Sequence, residues 1–313
     1  IFPLIVIIIM MDLYLSNMNS LYKEKANGML KHANEIEILI LGNSHALRGV
    51  NPKYFTDNTY NTANSGQSIY FDKEITLRSL ERLNNLKYVF ISLDYHSLYF
   101  SIQRGERNIW SYFGNGIKHS SIDYNKADVS PFLFGYSPLV SFSLLKKDIL
   151  TKWKLRNHTR YLDFDTEEGV SKTDTLVKGF ITFSKTRTND FSSINYINRI
   201  HVYDELINTS TEKKIVLNEL DKLITTLQKN GITPIFFSTP TYKKYNTKLD
   251  SSIINNNRID AEILHEKYNI EFWDYSVNND FTMHEFFNPD HLNKKGSARF
   301  SKMLDSRLKL YKN

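Results

Sequence analysis

Two segments carry residues with chemical potential. Near the start, Ile36-Glu37-Ile38-Leu39-Ile40-Leu41-Gly42-Asn43-Ser44-His45 is an apolar run that stops at Gly-Asn-Ser. Near the end stands Phe287-Asn288-Pro289-Asp290-His291-Leu292-Asn293-Lys294-Lys295-Gly296. A serine hydroxyl is a weak nucleophile at neutral pH and needs a base within hydrogen-bond reach. His291 is the candidate base, and the chemistry is acyl transfer through an acyl-serine. Each residue has a plainer alternative. Ser44 can cap the helix that follows it, and a histidine can be structural. His45 and His96 are competing bases, His45 being expected to point away. Asn288 can hold an imidazole N–H without supplying charge. Asp290, as the sequence neighbour of His291, is expected to reach back to that ring poorly and to form a turn after Pro289.

Taken together, these blocks resemble the SGNH (GDSL-like) hydrolase superfamily. Gly42-Asn43-Ser44 matches its first block, whose serine is the nucleophile. Asn64-Ser65-Gly66 is similar to the second, whose glycine N–H serves the oxyanion hole. Asp290-His291-Leu292-Asn293 with Gly296 is similar to the last, which carries the histidine. The resemblance covers residues 35–93 and 208–311. It departs from the family where Tyr88-Val89-Phe90-Ile91-Ser92-Leu93 runs into Asp94-Tyr95-His96 instead of a Gly-x-Asn-Asp block. It departs again at Asn288, where the family has aspartate. The resemblance implies catalytic Ser44 and His291, with Asn288 or Asp290 as third member. It also implies an oxyanion hole from the Ser44 and Gly66 N–H groups, with Asn43 or Asn64 as a side-chain donor, and no cofactor or metal. The implied activity is a serine esterase or O-acyltransferase acting on acyl esters, acetyl first, of an exported polysaccharide. Anchored members, such as the D-alanine transfer and alginate acetylation proteins, work beside membrane-bound O-acyltransferases. The alternatives are an accessory protein that binds glycan or such a partner, and a lipid esterase or thioesterase.

The elements that would position these residues alternate between strand and helix. Strands are expected at Ile36–Leu41, Thr59–Ala63, Lys87–Leu93, Ile232–Ser238 and Ile270–Tyr275. Helices are expected at Ser68–Asn84, Thr211–Asn230 (stopped by Gly231), Ser252–Tyr268 and Lys294–Leu310. This pattern implies an α/β fold, a flavodoxin-like three-layer sandwich on a parallel sheet of about five strands. Residues 94–208 break it. They are rich in aromatics (Tyr95, Trp110, Tyr112, Phe113, Trp153, Tyr161), carry one expected helix at Ser137–Lys152, and read as a structured insertion walling the Ser44 cleft. The expected organisation is an anchor segment at 1–15, a helical stalk at 16–34, and a hydrolase-like domain at 35–313.

Bulk properties set the remaining bounds. The chain has 313 residues, no cysteine and a formal net charge of +6. Disulfides and thiolate metal sites are excluded. The lysines are dispersed, without zinc-finger spacing or an arginine block, which argues against nucleic acid. Ile1 to Met11 is continuously apolar. It is read as the outer end of a signal anchor, which places the protein at the cell membrane with its catalytic domain outside the cytoplasm.

Overall fold

The computed structural model describes residues 2–17, 20–101, 111–117, 141–143, 145–146, 149–150, 175–182, 191 and 193–312. The chain divides into two compact units. One comprises Ile1–Asn27 and Arg104–Val170, the other Gly28–Gln103 and Ser171–Asn313. The second holds a sheet, and every residue of the site described below.

Helices α1 (Phe2–Ser16) and α2 (Leu21–Lys31) come first. At 1.5 Å per residue, the 15 residues of α1 extend about 22 Å, short of the ~30 Å hydrocarbon core of a bilayer. No helix among the described residues is long and apolar enough to cross a membrane. The expected cell-membrane localisation is corrected accordingly, since no spanning helix among the described residues supports it.

From there the chain runs β1 (Ile38–Leu41), α3 (Ser44–Gly49), β2 (Thr59–Asn61), α4 (Ile69–Ser79) and β3 (Tyr88–Ser92). A hairpin of β4 (Thr175–Val177) and β5 (Phe180–Thr182) follows, then α5 (Ser193–Thr209) and α6 (Lys213–Lys229). The chain continues through β6 (Thr233–Phe237), α7 (Lys243–Asn246), α8 (Ser251–Tyr268) and β7 (Phe272–Trp273). It ends in a small hairpin, β8 (Phe286–Asn288) with β9 (His291–Leu292), and helix α9 (Lys294–Lys312).

The main sheet has five strands in the order β2-β1-β3-β6-β7, all parallel. This is the flavodoxin-like order, as the alternating pattern requires. Ile38, Leu39, Ile40 and Leu41 are all fully buried, because a parallel strand is covered on both faces. Right-handed crossovers put the β1–β2 and β2–β3 connections, which run in opposite directions across the sheet, on opposite faces. Accordingly α3 packs with α9, and α4 with α6. The order reverses at β1 and β3, so the crevice for a ligand lies at their carboxyl ends. Those ends lead into Gly42-Asn43-Ser44 and into Asp94.

Part of the 94–208 segment lies outside the described residues. This includes Trp110, Trp153, Tyr161 and most of the helix expected at Ser137–Lys152. Helix α5 and the β4–β5 hairpin were not foreseen. Lys178 and Gly179, both with positive φ, make the hairpin turn, and the Lys178 carbonyl accepts from the Asn61 N–H at the outer strand β2 (3.0 Å).

Candidate active site

Ser44 is brought to the crevice by three neighbours. Gly42 has φ +135°, and a Cβ there would lie 2.5 Å from the Ser92 Cβ. Only glycine allows so close an approach of β1 to β3. Asn43 then caps α3, its side-chain oxygen accepting from the His45 N–H at 2.9 Å. The capping role considered for Ser44 is thus filled by Asn43, and the Ser44 hydroxyl turns outward, half-buried. On the far side of the loop, the buried Asp72 accepts from both the Gly42 N–H (3.0 Å) and the Gln67 amide (2.6 Å).

His291 arrives on β9. Its partner across the hairpin is Asn288, with Pro289 and Asp290 at the tip. The Leu-Asn-x-x-Gly continuation has a physical purpose. Asn293 donates to the His284 and Phe286 carbonyls and accepts from the Lys295 and Gly296 N–H groups, clamping the hairpin to the start of α9. A Cβ on Gly296 would meet the Glu285 carbonyl oxygen at 2.1 Å.

Ser44 and His291, 247 positions apart, meet with Oγ 2.8 Å from Nε2. Asn288 Oδ1 lies 3.0 Å from His291 Nδ1 and also accepts the His291 backbone N–H at 2.9 Å. A group that accepts a backbone N–H is the amide oxygen, so Nδ1 carries the ring proton. Nε2 is then left as the acceptor for the Ser44 hydroxyl. Burial is the main reason His291 is pushed down to about 4, against the opposing charge of Asp290. The ring is therefore a neutral base at pH 7.

Asp290 departs from the expectation for it. It is fully buried, and its Oδ1 lies 3.2 Å from His291 Nδ1. This contact lacks hydrogen-bond alignment, so it acts through charge. Its Oδ2 accepts from Arg199 Nε (3.1 Å) and Nη2 (2.7 Å). Burial would raise the Asp290 carboxyl, but His291 and Arg199 hold it well below the ordinary range.

His45 also departs from expectation, pointing inward. Its Nδ1 is 3.2 Å from Asp94 Oδ1 and its Nε2 is 3.7 Å from Asp290 Oδ2. Its ring meets that of His291 edge-on at 4.9 Å. Burial opposes its charge, yet Asp94 and Asp290 outweigh burial and hold it up to about 9. Asp94 is lowered correspondingly, His45 overcoming burial. His96 lies against the Asn43 side chain, its Nε2 3.3 Å from the Asn43 amide nitrogen. It stacks on Tyr203 at 4.3 Å and is pushed down to about 3, chiefly by burial.

The oxyanion candidates separate. As first residue of a helix, the Ser44 N–H has no acceptor within that helix, and Gly66 holds φ +60° in the turn after β2. Both remain candidates by their backbone. Asn64 does not serve as the side-chain donor, because its amide hydrogens go to the Thr62 carbonyl (3.1 Å) and Gln67 Oε1 (3.0 Å). Asn43 is likewise turned inward, toward His96 (3.3 Å) and Ser97 (3.5 Å). His45, Asp290 and His291 are the one trio among the described residues with ligand atoms close enough to share an ion. Arg199 on Asp290 and Asn288 on His291 already occupy that trio.

Arg199, Asp72 and the charged state of His45 escaped the sequence reading. Arg199 lies in a helix whose pattern blends into the aromatic insertion, and no spacing links it to Asp290.

No protein-family model matches the chain, and no curated protein matches it. Two solved structures are similar over most of its length. One is provisionally described as a platelet activating factor from Streptococcus pneumonia. It is 12% identical, covers 91% of this chain and 92% of its own, and gives a TM-score of 0.41. The other is provisionally described as an acylhydrolase from Bacteroides fragilis. It is 11% identical, covers 88% of each chain, and gives a TM-score of 0.39. At these values neither likeness bears on chemistry, which must be argued from the side chains.

Proposed function

We propose that this chain is a serine-dependent ester hydrolase that works through an acyl-serine. The observation that carries this reading is the Ser44 Oγ–His291 Nε2 contact of 2.8 Å, with the opposite ring nitrogen held by Asn288. His291 removes the hydroxyl proton as Ser44 attacks the acyl carbonyl. The oxyanion is met by the Ser44 and Gly66 N–H groups, and His291 returns the proton to the leaving alcohol. Water repeats the sequence to release the acid.

The finer reading is a small acyl group, acetyl first, on a polysaccharide hydroxyl, with a second sugar hydroxyl replacing water in the transferase variant. Its support is the resemblance of the three sequence blocks. A partnership with a membrane-bound O-acyltransferase belongs to the same reading. The accessory-protein alternative drew its strength from Asn288. It is weakened by the carboxylate of Asp290 beside the same imidazole.

Hydrolysis of 4-nitrophenyl acetate, an acetylated polysaccharide and a long-chain acyl ester tests the proposal. Ser44-dependent turnover of the first two, with poor use of the third, is expected. Turnover unchanged in Ser44→Ala would remove the hydrolase reading. Preference for the long chain would replace acetyl ester by lipid ester.

A further inference from the structure

We propose that Asp290 supplies the negative charge opposite His291, and that Arg199 on α5 is the positioning residue that aims it. This rests on the serine hydrolase reading. The work of one aspartate would then be divided. Asn288 accepts the Nδ1–H and sets the tautomer, while Asp290 stabilises the imidazolium that forms when Ser44 gives up its proton.

The geometry supports this division. Both Arg199 donors fall on one oxygen, Oδ2, so the guanidinium anchors that oxygen and leaves Oδ1 facing Nδ1 at 3.2 Å. Oδ1 is buried and has no hydrogen-bond partner. A buried carboxylate oxygen left unpartnered is costly. The cost makes sense if that oxygen is held ready for a charge that appears during turnover. Groups from every element around Asp290 bear on it. His45 on α3 faces Oδ2 at 3.7 Å, and Tyr203 on α5 approaches Oδ2 at 3.5 Å. Tyr245 on α7 is itself raised, mainly by burial and then by Asp290. Asp94, beyond His45, shares that imidazolium. Two carboxylates, Asp94 and Asp290, are thus matched by two cations, His45 and Arg199. The site stays neutral until His291 takes the proton.

Arg199 comes from α5, in the segment between β3 and β6. A helix of that segment therefore completes a charge network whose other members sit after β1 and β3 and on the β8–β9 hairpin. Sequence position hides the arrangement, because the expected aspartate position is occupied by Asn288.

The test moves the charge. Asp290→Asn is expected to lower kcat for 4-nitrophenyl acetate at least about 10²-fold, on a scale where neutralising a triad carboxylate costs about 10⁴. KM should stay within about threefold, since nothing that touches substrate changes. The double change Asn288→Asp with Asp290→Asn returns a carboxylate to the imidazole and should recover at least about tenfold of that loss. A merely structural Asp290 would not be rescued in this way. Asn288→Asp alone should lower kcat, because two adjacent carboxylates cannot both ionise cheaply. Arg199→Met should lower kcat about tenfold with KM unchanged, and Arg199→Lys should retain more activity than Arg199→Met. If Asp290→Asn misfolds by stranding Arg199, the Asp290→Asn, Arg199→Met pair removes both charges, and the same kcat loss is expected of it. Asp290→Asn with kcat within threefold of wild type, or a rise in kcat in Asn288→Asp alone, overturns the proposal while Ser44→Ala remains inactive. If Ser44→Ala turns over like wild type, the hydrolase reading fails and this inference falls with it.

Discussion

Because Asn43 caps α3 by accepting the His45 N–H, the cap does not draw on the Ser44 hydroxyl, which meets His291 instead. Ser44→Ala and His291→Ala should therefore each lower ester turnover by about 10⁴ or more. The double variant should be hardly worse than either, since members of such a unit are strongly non-additive. The pH profile carries the state of the base. With His291 pushed down to about 4, kcat/KM should rise through an acid limb near pH 4 and stay level through neutrality. A limb near 6.5, the ordinary histidine value, would mean that the ring is more exposed to water than the structure places it. Ser44 and His291 were legible because each sits in a short run with a local signature, a strand stop or an Asn-x-x-Gly clamp. Asp290 was legible only as a rival third member, expected to reach the ring poorly, and His45 as an inward cation and Arg199 were not legible at all. Their roles depend on which carboxylate faces which ring across the crevice, and spacing along the chain carries no trace of that.

At the scale of elements, Asp72 on α4 joins the Ser44 turn to the loop of Asn64 and Gly66 through Gly42 and Gln67. Burial pushes its carboxyl up to about 7, against the Gln67 and Gly42 hydrogen bonds. Asp72→Ala would leave the buried Gly42 N–H without its acceptor and take one of two acceptors from the Gln67 amide, at about 1–3 kcal/mol of stability. Asp72→Asn keeps an acceptor for Gly42, so denaturant unfolding above pH 7 should show the smaller loss. Gly296→Ala should also destabilise, because its methyl meets the Glu285 carbonyl where the hairpin joins α9. Loss of the Ser44–His291 contact should appear in that variant as reduced kcat. The sheet strands and their main helices were legible from alternating apolar runs and from Gly231 after α6. The expected boundaries are longer than the observed ones at β1, β2 and β7, because strand ends leave the ladder before the apolar run ends. The β8–β9 hairpin is too short to generate a period, and α5 was absorbed into an aromatic stretch with no clean helical face.

At the scale of the whole molecule, buried histidines of opposite charge state tie stability to pH from both sides. His291 and His96 are held near 4 and 3, below their unfolded value, so their contribution is full above about 6.5 and is lost as pH falls toward those values. Asp94 and Asp290, also depressed, add to the acid loss below about 4. His45 is held near 9, so its contribution is full below about 6.5 and is lost as pH rises through 9. Thermal unfolding across pH should show maximal stability near pH 6–7. His45→Asn should flatten the alkaline side and leave the acid side steep. Equal slopes in both proteins on the alkaline side would place a neutral His45 between the two carboxylates. The central claim is that Ser44 is a nucleophile activated by His291, and intact-mass spectrometry with a fluorophosphonate probe at pH 7 tests it most directly. One adduct, mapped to Ser44, is expected on the wild-type protein, with none on Ser44→Ala and labelling slowed at least about 10²-fold in His291→Ala. An unlabelled wild-type protein, or labelling of Ser44 at the same rate with and without His291, would contradict it.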